Sequence, residues 1–168
     1  SNSKYPLKTV LSGGNGSDSL NLEMPTAIPA GFEFASPNII AIASLHESLI
    51  WLKHTSLDAI ADHKETLMQK LIDGLSSRGF ALYLPSDRSF HTSVLSINVP
   101  GYEADEVGMI LNEDFNIAVR TGYHCAPFVH SFLNTVDTKG TVRISLGYFN
   151  TEDDVNAVIH ALTDIMEG

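Results

Sequence analysis

Apolar positions follow two regimes along this chain. Up to about residue 36 they are scattered among Gly, Ser, Asn and Pro, with neither a helical nor a strand period. From Pro37 onward the pattern is regular. Asn38 to Lys53 is apolar on nearly every side, which predicts a well-buried helix. Thr55 and Asp58 resemble a capping box opening a second helix. Its stripe is Leu57, Ile60, Ala61, Leu67, Leu71 and Leu75, closing at Gly79. Strands are expected at Phe80–Leu84 and at Ser93–Val99, where Leu95, Ile97 and Val99 alternate with Ser96 and Asn98. Pro100-Gly101 ends the second of these. A short helix from about Ala104 to Asp114 turns Val107, Ile110 and Leu111 inward, and further strands are expected at Ile117–Arg120 and Thr141–Leu146. Thr151 and Asp154 cap a last helix whose stripe is Val155, Val158, Ile159, Leu162 and Met166.

Strands and helices interspersed in this order imply an α+β fold: a small, mainly antiparallel sheet of about four strands with helices packed on one face. Two regions are expected, an irregular segment at 1–36 and the α+β domain at 37–168. Irregular chain of that length is rarely idle. It is a binding segment or is shaped by structure it normally packs against.

Composition narrows the function classes. The 168 residues suit one domain with a sizeable core, and 43% apolar with 18% charged residues and no low-complexity tract reads as globular. A net charge of -10 argues against nucleic acid or an anionic membrane as partner through bulk electrostatics. The ten Lys and Arg residues can still gather into a local anion site. No apolar run is long enough to span a bilayer, and the beginning lacks the charged and apolar regions of a signal peptide. The single cysteine cannot close an internal disulfide, so the expected compartment is reducing and cytoplasmic.

That cysteine lies in Arg120-Thr121-Gly122-Tyr123-His124-Cys125-Ala126-Pro127, bracketed as a loop by Gly122 and Pro127. A thiol reacts as its thiolate, and cationic neighbours favour that form. The bland reading is a buried cysteine acting as a small hydrophobe. The strand period places two arginines. Arg120 opposes Ile117 and Val119, and Arg143 opposes Val142, Ile144 and Leu146. If the apolar sets face the helices, both arginines project from the other side, flanking the Cys125 loop as a fork for a small carboxylate. Structural ion pairing with the twenty acidic residues is the rival explanation. His124, Cys125 and His130 match no zinc spacing, so no metal is expected. The glycine-rich Gly13–Ser17 loop is neither a Walker loop nor a GxGxxG fingerprint.

These residues also resemble a family. The run R-T-G-Y-H-C-A-P-F-V-H, followed by G-T-V-R-I-S-L-G-Y-F-N-T, is similar to the C-terminal part of cysteine desulfurases and their relatives, the class V aminotransferases that use pyridoxal phosphate. G-G-N-G-S resembles the family's G-G-T-G-S, and F-E-F-A-S-P-N its F-E-x-G-T-P-N. The resemblance implies that Cys125 is the nucleophile that takes sulfur from L-cysteine or a related amino acid as a persulfide, leaving alanine. It implies that Arg143, Arg120 and His124 serve the substrate, with Arg143 the main carboxylate binder. Asn15, Gly16, Ala35 and Ser36 fall where the family meets the cofactor. Ser36 stands for a threonine that reaches the cofactor phosphate of the neighbouring subunit in a homodimer. Asn15 replaces a threonine and Ala35 a glycine.

The family's Schiff-base lysine follows a histidine upstream of the G-G-T-G-S loop, and no His-Lys pair precedes Gly13. His63-Lys64 lies inside the second predicted helix. The resemblance therefore implies that the large pyridoxal-phosphate domain is absent here and that the chain alone is inactive. A protein sulfur acceptor is the other partner implied. Two rivals stand beside this reading. One is a class V aminotransferase or lyase in which Cys125 is incidental; the other is a non-catalytic module for assembly or acceptor binding.

Overall fold

The computed structural model describes residues 8–14, 16 and 20–168. The chain divides into two compact units, one reaching to His54 and one from Thr55 to Gly168.

In the first unit, a 3-10 turn at Ala30–Phe32 buries Gly31, whose N–H donates to the Ala27 carbonyl at 2.8 Å and whose carbonyl accepts from the Thr9 hydroxyl at 2.9 Å. Helix α1 follows at Ile39–Thr55, and the Asn38 side chain accepts from the Ala41 N–H at its start. The expectation of a well-buried helix is not met: no residue of α1 is buried. Ile39, Ile40, Ile42, Leu45 and Leu49 are all exposed. Apolar residues on every side call for cover on every side, and the described residues before α1 supply no such layer.

The second unit is built on a four-stranded antiparallel sheet of β1 (Ala81–Tyr83), β2 (Val94–Asn98), β3 (Arg120–Gly122) and β4 (Thr141–Ser145), in the order β1-β2-β4-β3. The helices are α2 (Leu57–Ser76), α3 (Ala104–Glu113), α4 (Pro127–Leu133) and α5 (Glu152–Glu167). One core joins the sheet to α2, α3 and α5. Leu67, Leu71 and Leu75 of α2, Val107 and Leu111 of α3, and Val155, Val158 and Leu162 of α5 pack with Leu95 and Ile97 of β2 and Val142 and Ile144 of β4. The α+β architecture expected from the sequence is thus the observed one. Among the described residues, no helix is long and apolar enough to cross a membrane.

Several local readings shift. The cap of α2 is Ser56 rather than Thr55, its side chain accepting from the Ala59 N–H at 3.1 Å. The third strand begins at Arg120, because Ile117 to Val119 run unpaired into it. The segment after Cys125 is not all loop: Pro127, free of an N–H to satisfy, opens α4. At the far end, Thr151 and Asp154 form the expected reciprocal box on α5, with Thr151 N–H donating to Asp154 at 2.8 Å.

The turn into β4 depends on Gly140. Its φ is +100°, and a Cβ there would run into the Gly122 carbonyl of β3. Gly140→Ala therefore meets both backbone strain and a clash with backbone that cannot move aside. Thermal or urea unfolding is expected to show a loss of about 2–3 kcal/mol.

Candidate active site

Register brings the two arginines together. In the antiparallel pair β3–β4, Arg120 lies directly opposite Arg143, and Arg143 is also opposite Ser96 of β2. Both project from the face opposite Val142 and Ile144, as alternation requires. Like charges directly across a ladder destabilise it. Among the described residues, no ion pair contains an arginine. The Nε of half-buried Arg143 is buried without a partner. The structural-ion-pair explanation thus finds no support.

Cys125 is exposed, and its Sγ lies 3.6 Å from an Arg120 guanidinium nitrogen. The turn that carries it is unusual. Gly122 has φ +94°, and His124 and Cys125 follow at φ +50° and +59°. Two successive non-glycine residues in the left-handed region store strain that the surroundings must hold. Three contacts do so. The Ala126 N–H donates to the Tyr123 carbonyl at 2.8 Å, and His124 Nε2 lies 3.1 Å from the Thr141 carbonyl and 3.0 Å from its hydroxyl. A carbonyl only accepts, so Nε2 carries the hydrogen of the neutral ring. The other ring nitrogen, Nδ1, is buried and unpartnered.

Burial, with Arg143, Arg120 and His130 adding repulsion, holds the His124 pKa below its ordinary value against a smaller opposing effect of the Thr141 bond. His91 is lowered as well, by burial and by Arg88. A group whose folded pKa is depressed binds fewer protons folded than unfolded. Its contribution is full above the unfolded value of roughly 6.5 and is lost as pH falls from there through the lower folded value. The melting temperature is expected to fall as pH drops below roughly 6.5. His124→Gln, which preserves a donor to Thr141, should flatten part of that dependence and leave the share due to His91.

The first unit holds the other motif residues. The Ala35 N–H donates to the Gly14 carbonyl at 3.0 Å, tying the Gly13-Gly14 stretch to the segment that carries Ala35. Ala35 adopts φ +64°, the conformation that a glycine takes freely. Ser36 is exposed, Gly16 has φ +75°, and among the described residues nothing stands within 4 Å of where a Cβ of Gly14 or Gly16 would be. An exposed hydroxyl beside open backbone fits a phosphate group. Asn15 lies outside the described residues.

Lys139, two residues before β4, forms a 2.6 Å ion pair with Glu103, which raises its pKa above the usual lysine value. One pair of residues was not anticipated in its role. His130, considered only as a metal ligand in the sequence, is buried against Thr135.

A family model described as aminotransferase class-V matches residues 2–158. The chain is 32% identical over 139 residues to a "probable cysteine desulfurase" of Pseudomonas putida, covering 83% of this chain and 33% of that protein. It is 30% identical over 140 residues to a cysteine desulfurase of Serratia proteamaculans, covering 83% and 33%. The chain spans about a third of the length of these relatives. Among solved structures, the apo cysteine desulfurase of Thermococcus onnurineus aligns with a TM-score of 0.82 at 29% identity, over 96% of this chain and 40% of that one. The Escherichia coli cysteine desulfurase CsdA, in its S-sulfonic acid form, gives a TM-score of 0.74 at 25% identity, over 95% and 39%.

Proposed function

The chain belongs to the class V aminotransferase family, and from that premise we propose that it is the C-terminal part of a pyridoxal-phosphate cysteine desulfurase. Residues 37–168 form its C-terminal domain, and residues 1–36 pack at the cofactor site and dimer interface. The observation that carries this reading is the pairing of Arg120 with Arg143 beside an exposed thiol, with no acidic partner for either guanidinium among the described residues.

Each residue has a task. Arg143, half-buried and with Nε unpartnered, grips the carboxylate of the amino acid, and Arg120 supports it from the next strand. The same Arg120 stabilises negative charge on Cys125 Sγ. His124, neutral and bonded to Thr141, closes the substrate side of the cluster and ties the loop to β4. Ser36, Ala35, Asn15 and Gly16 contribute to holding the cofactor phosphate. When bound, the cofactor withdraws electrons from the substrate and makes its carbon–sulfur bond breakable. Cys125 Sγ forms a bond to the substrate sulfur as that carbon–sulfur bond breaks. The electron pair passes to carbon, which takes a proton and leaves as alanine, while the sulfur remains on Cys125 as a persulfide. The persulfide then passes to a protein sulfur acceptor.

Among the described residues, no hydrogen bond or ion pair joins a lysine to the arginine–thiol cluster, and Lys139 pairs with Glu103 instead. The chain alone with added pyridoxal phosphate is therefore expected to produce no alanine from L-cysteine, whereas the full-length enzyme does. Alanine release from the chain alone, measured by chromatography, would overturn the division of labour.

A further inference from the structure

We infer that His130, held by Thr135, is a positioning residue for Cys125, an inference that rests on the reading of Cys125 as the sulfur-accepting nucleophile. His130 is 3% exposed and Thr135 1%. Its Nδ1 lies 2.7 Å from the Thr135 hydroxyl and its Nε2 3.1 Å from the Tyr123 carbonyl. The carbonyl can only accept, so Nε2 carries the hydrogen and Nδ1 accepts from the hydroxyl. Thr135 is itself fixed: its N–H donates to the His130 carbonyl at 2.9 Å, and its carbonyl accepts from Gly140 N–H at 2.8 Å. The left-handed Asn134 that ends α4 turns the chain to make this possible.

The bond from His130 reaches back across the strained turn. Tyr123 precedes the two left-handed residues His124 and Cys125, and its carbonyl accepts from both Ala126 N–H and His130 Nε2. The Tyr123 ring also packs edge-on against His130, with centroids 5.2 Å apart. The turn is thus pinned on two sides, by His124 to β4 and by His130 to α4. Either strained residue relaxes if a pin is lost, and Sγ then leaves Arg120. Neither ring nitrogen of His130 is free for substrate, so its action is through the backbone.

The single cysteine lets alkylation report on Sγ alone. The measurement is the rate ratio of iodoacetate to iodoacetamide in the chain itself. An anionic reagent gains from a guanidinium beside the thiol, a neutral one does not. His130→Phe keeps a ring against Tyr123 but removes both hydrogen bonds, and the ratio is expected to fall roughly fivefold, toward that of the urea-unfolded chain. His130→Gln, which places an amide donor near the position of Nε2, should keep most of it. An unchanged ratio in a folded His130→Phe chain would overturn the proposal. Should that variant not fold, Thr135→Val decides by the same ratio, a fall supporting the proposal and no change refuting it. Sulfide release that persists in a full-length His130→Phe enzyme despite a fallen ratio would refute the nucleophile reading instead and leave the positioning role standing.

Discussion

Cys125→Ala in the full-length enzyme is expected to reduce sulfide release from L-cysteine to the background level. The thiol is the chain's single cysteine and no other residue here can accept sulfur as a persulfide. Its loss should spare binding, because the carboxylate fork of Arg120 and Arg143 sits on β3 and β4, outside the turn that carries the thiol. Substrate binding followed by absorbance of the cofactor should therefore stay near its original strength while kcat collapses. A variant in which both fall together would point to a collapsed loop, and the melting temperature separates the two. Cys125 is exposed and sits at the end of the turn, so truncation should change stability little. Unchanged sulfide release would mean that the thiol is incidental.

The second large effect is at Arg143, and it should act in opposite directions on activity and stability. Arg143→Gln removes a charged, two-pronged grip on the substrate carboxylate, for which a loss in kcat/KM of about a hundredfold to a thousandfold is expected. The same change removes one of two like charges facing each other across β3 and β4. Relief of that repulsion should stabilise the chain by about 0.5 kcal/mol, discounted because both side chains reach solvent. Kinetics on the full-length enzyme and thermal unfolding of the chain read the two effects separately. A variant that loses both activity and stability would show that Arg143 is a structural residue. This trade, stability surrendered at a functional pair, is what a binding site imposes on a scaffold.

Why some of this was legible in the sequence and some was not follows from what a period encodes. Alternation fixes the face on which a strand residue lies, so Arg143 opposite Val142 and Ile144 could be placed on the solvent side from sequence alone. Register is a separate quantity. That Arg120 meets Arg143 directly depends on where β3 begins to pair, three residues later than alternation in Ile117–Val119 suggested. Helix α1 was expected to be buried because its residues are apolar, yet composition measures a demand for cover rather than its presence. The seven-residue α4 is too short for a helical period to register, and Pro127 read as a loop boundary although it serves as a first helical residue. The positioning role of His130 is hidden from the sequence because its partner, Thr135, lies past the end of α4 beyond a left-handed Asn134, a geometry that spacing does not announce. The family motifs marked Cys125, whereas the contacts that pin its turn come from residues whose roles only packing reveals.

The most direct test of Cys125 as the sulfur acceptor is intact-mass and peptide mass spectrometry of the full-length enzyme, exposed to L-cysteine without a reducing acceptor and quenched by alkylation. The expected result is one additional sulfur atom on the peptide containing Cys125, appearing in step with the first turnover of alanine. Alanine formed in that burst with no sulfur added to Cys125 would contradict the proposal.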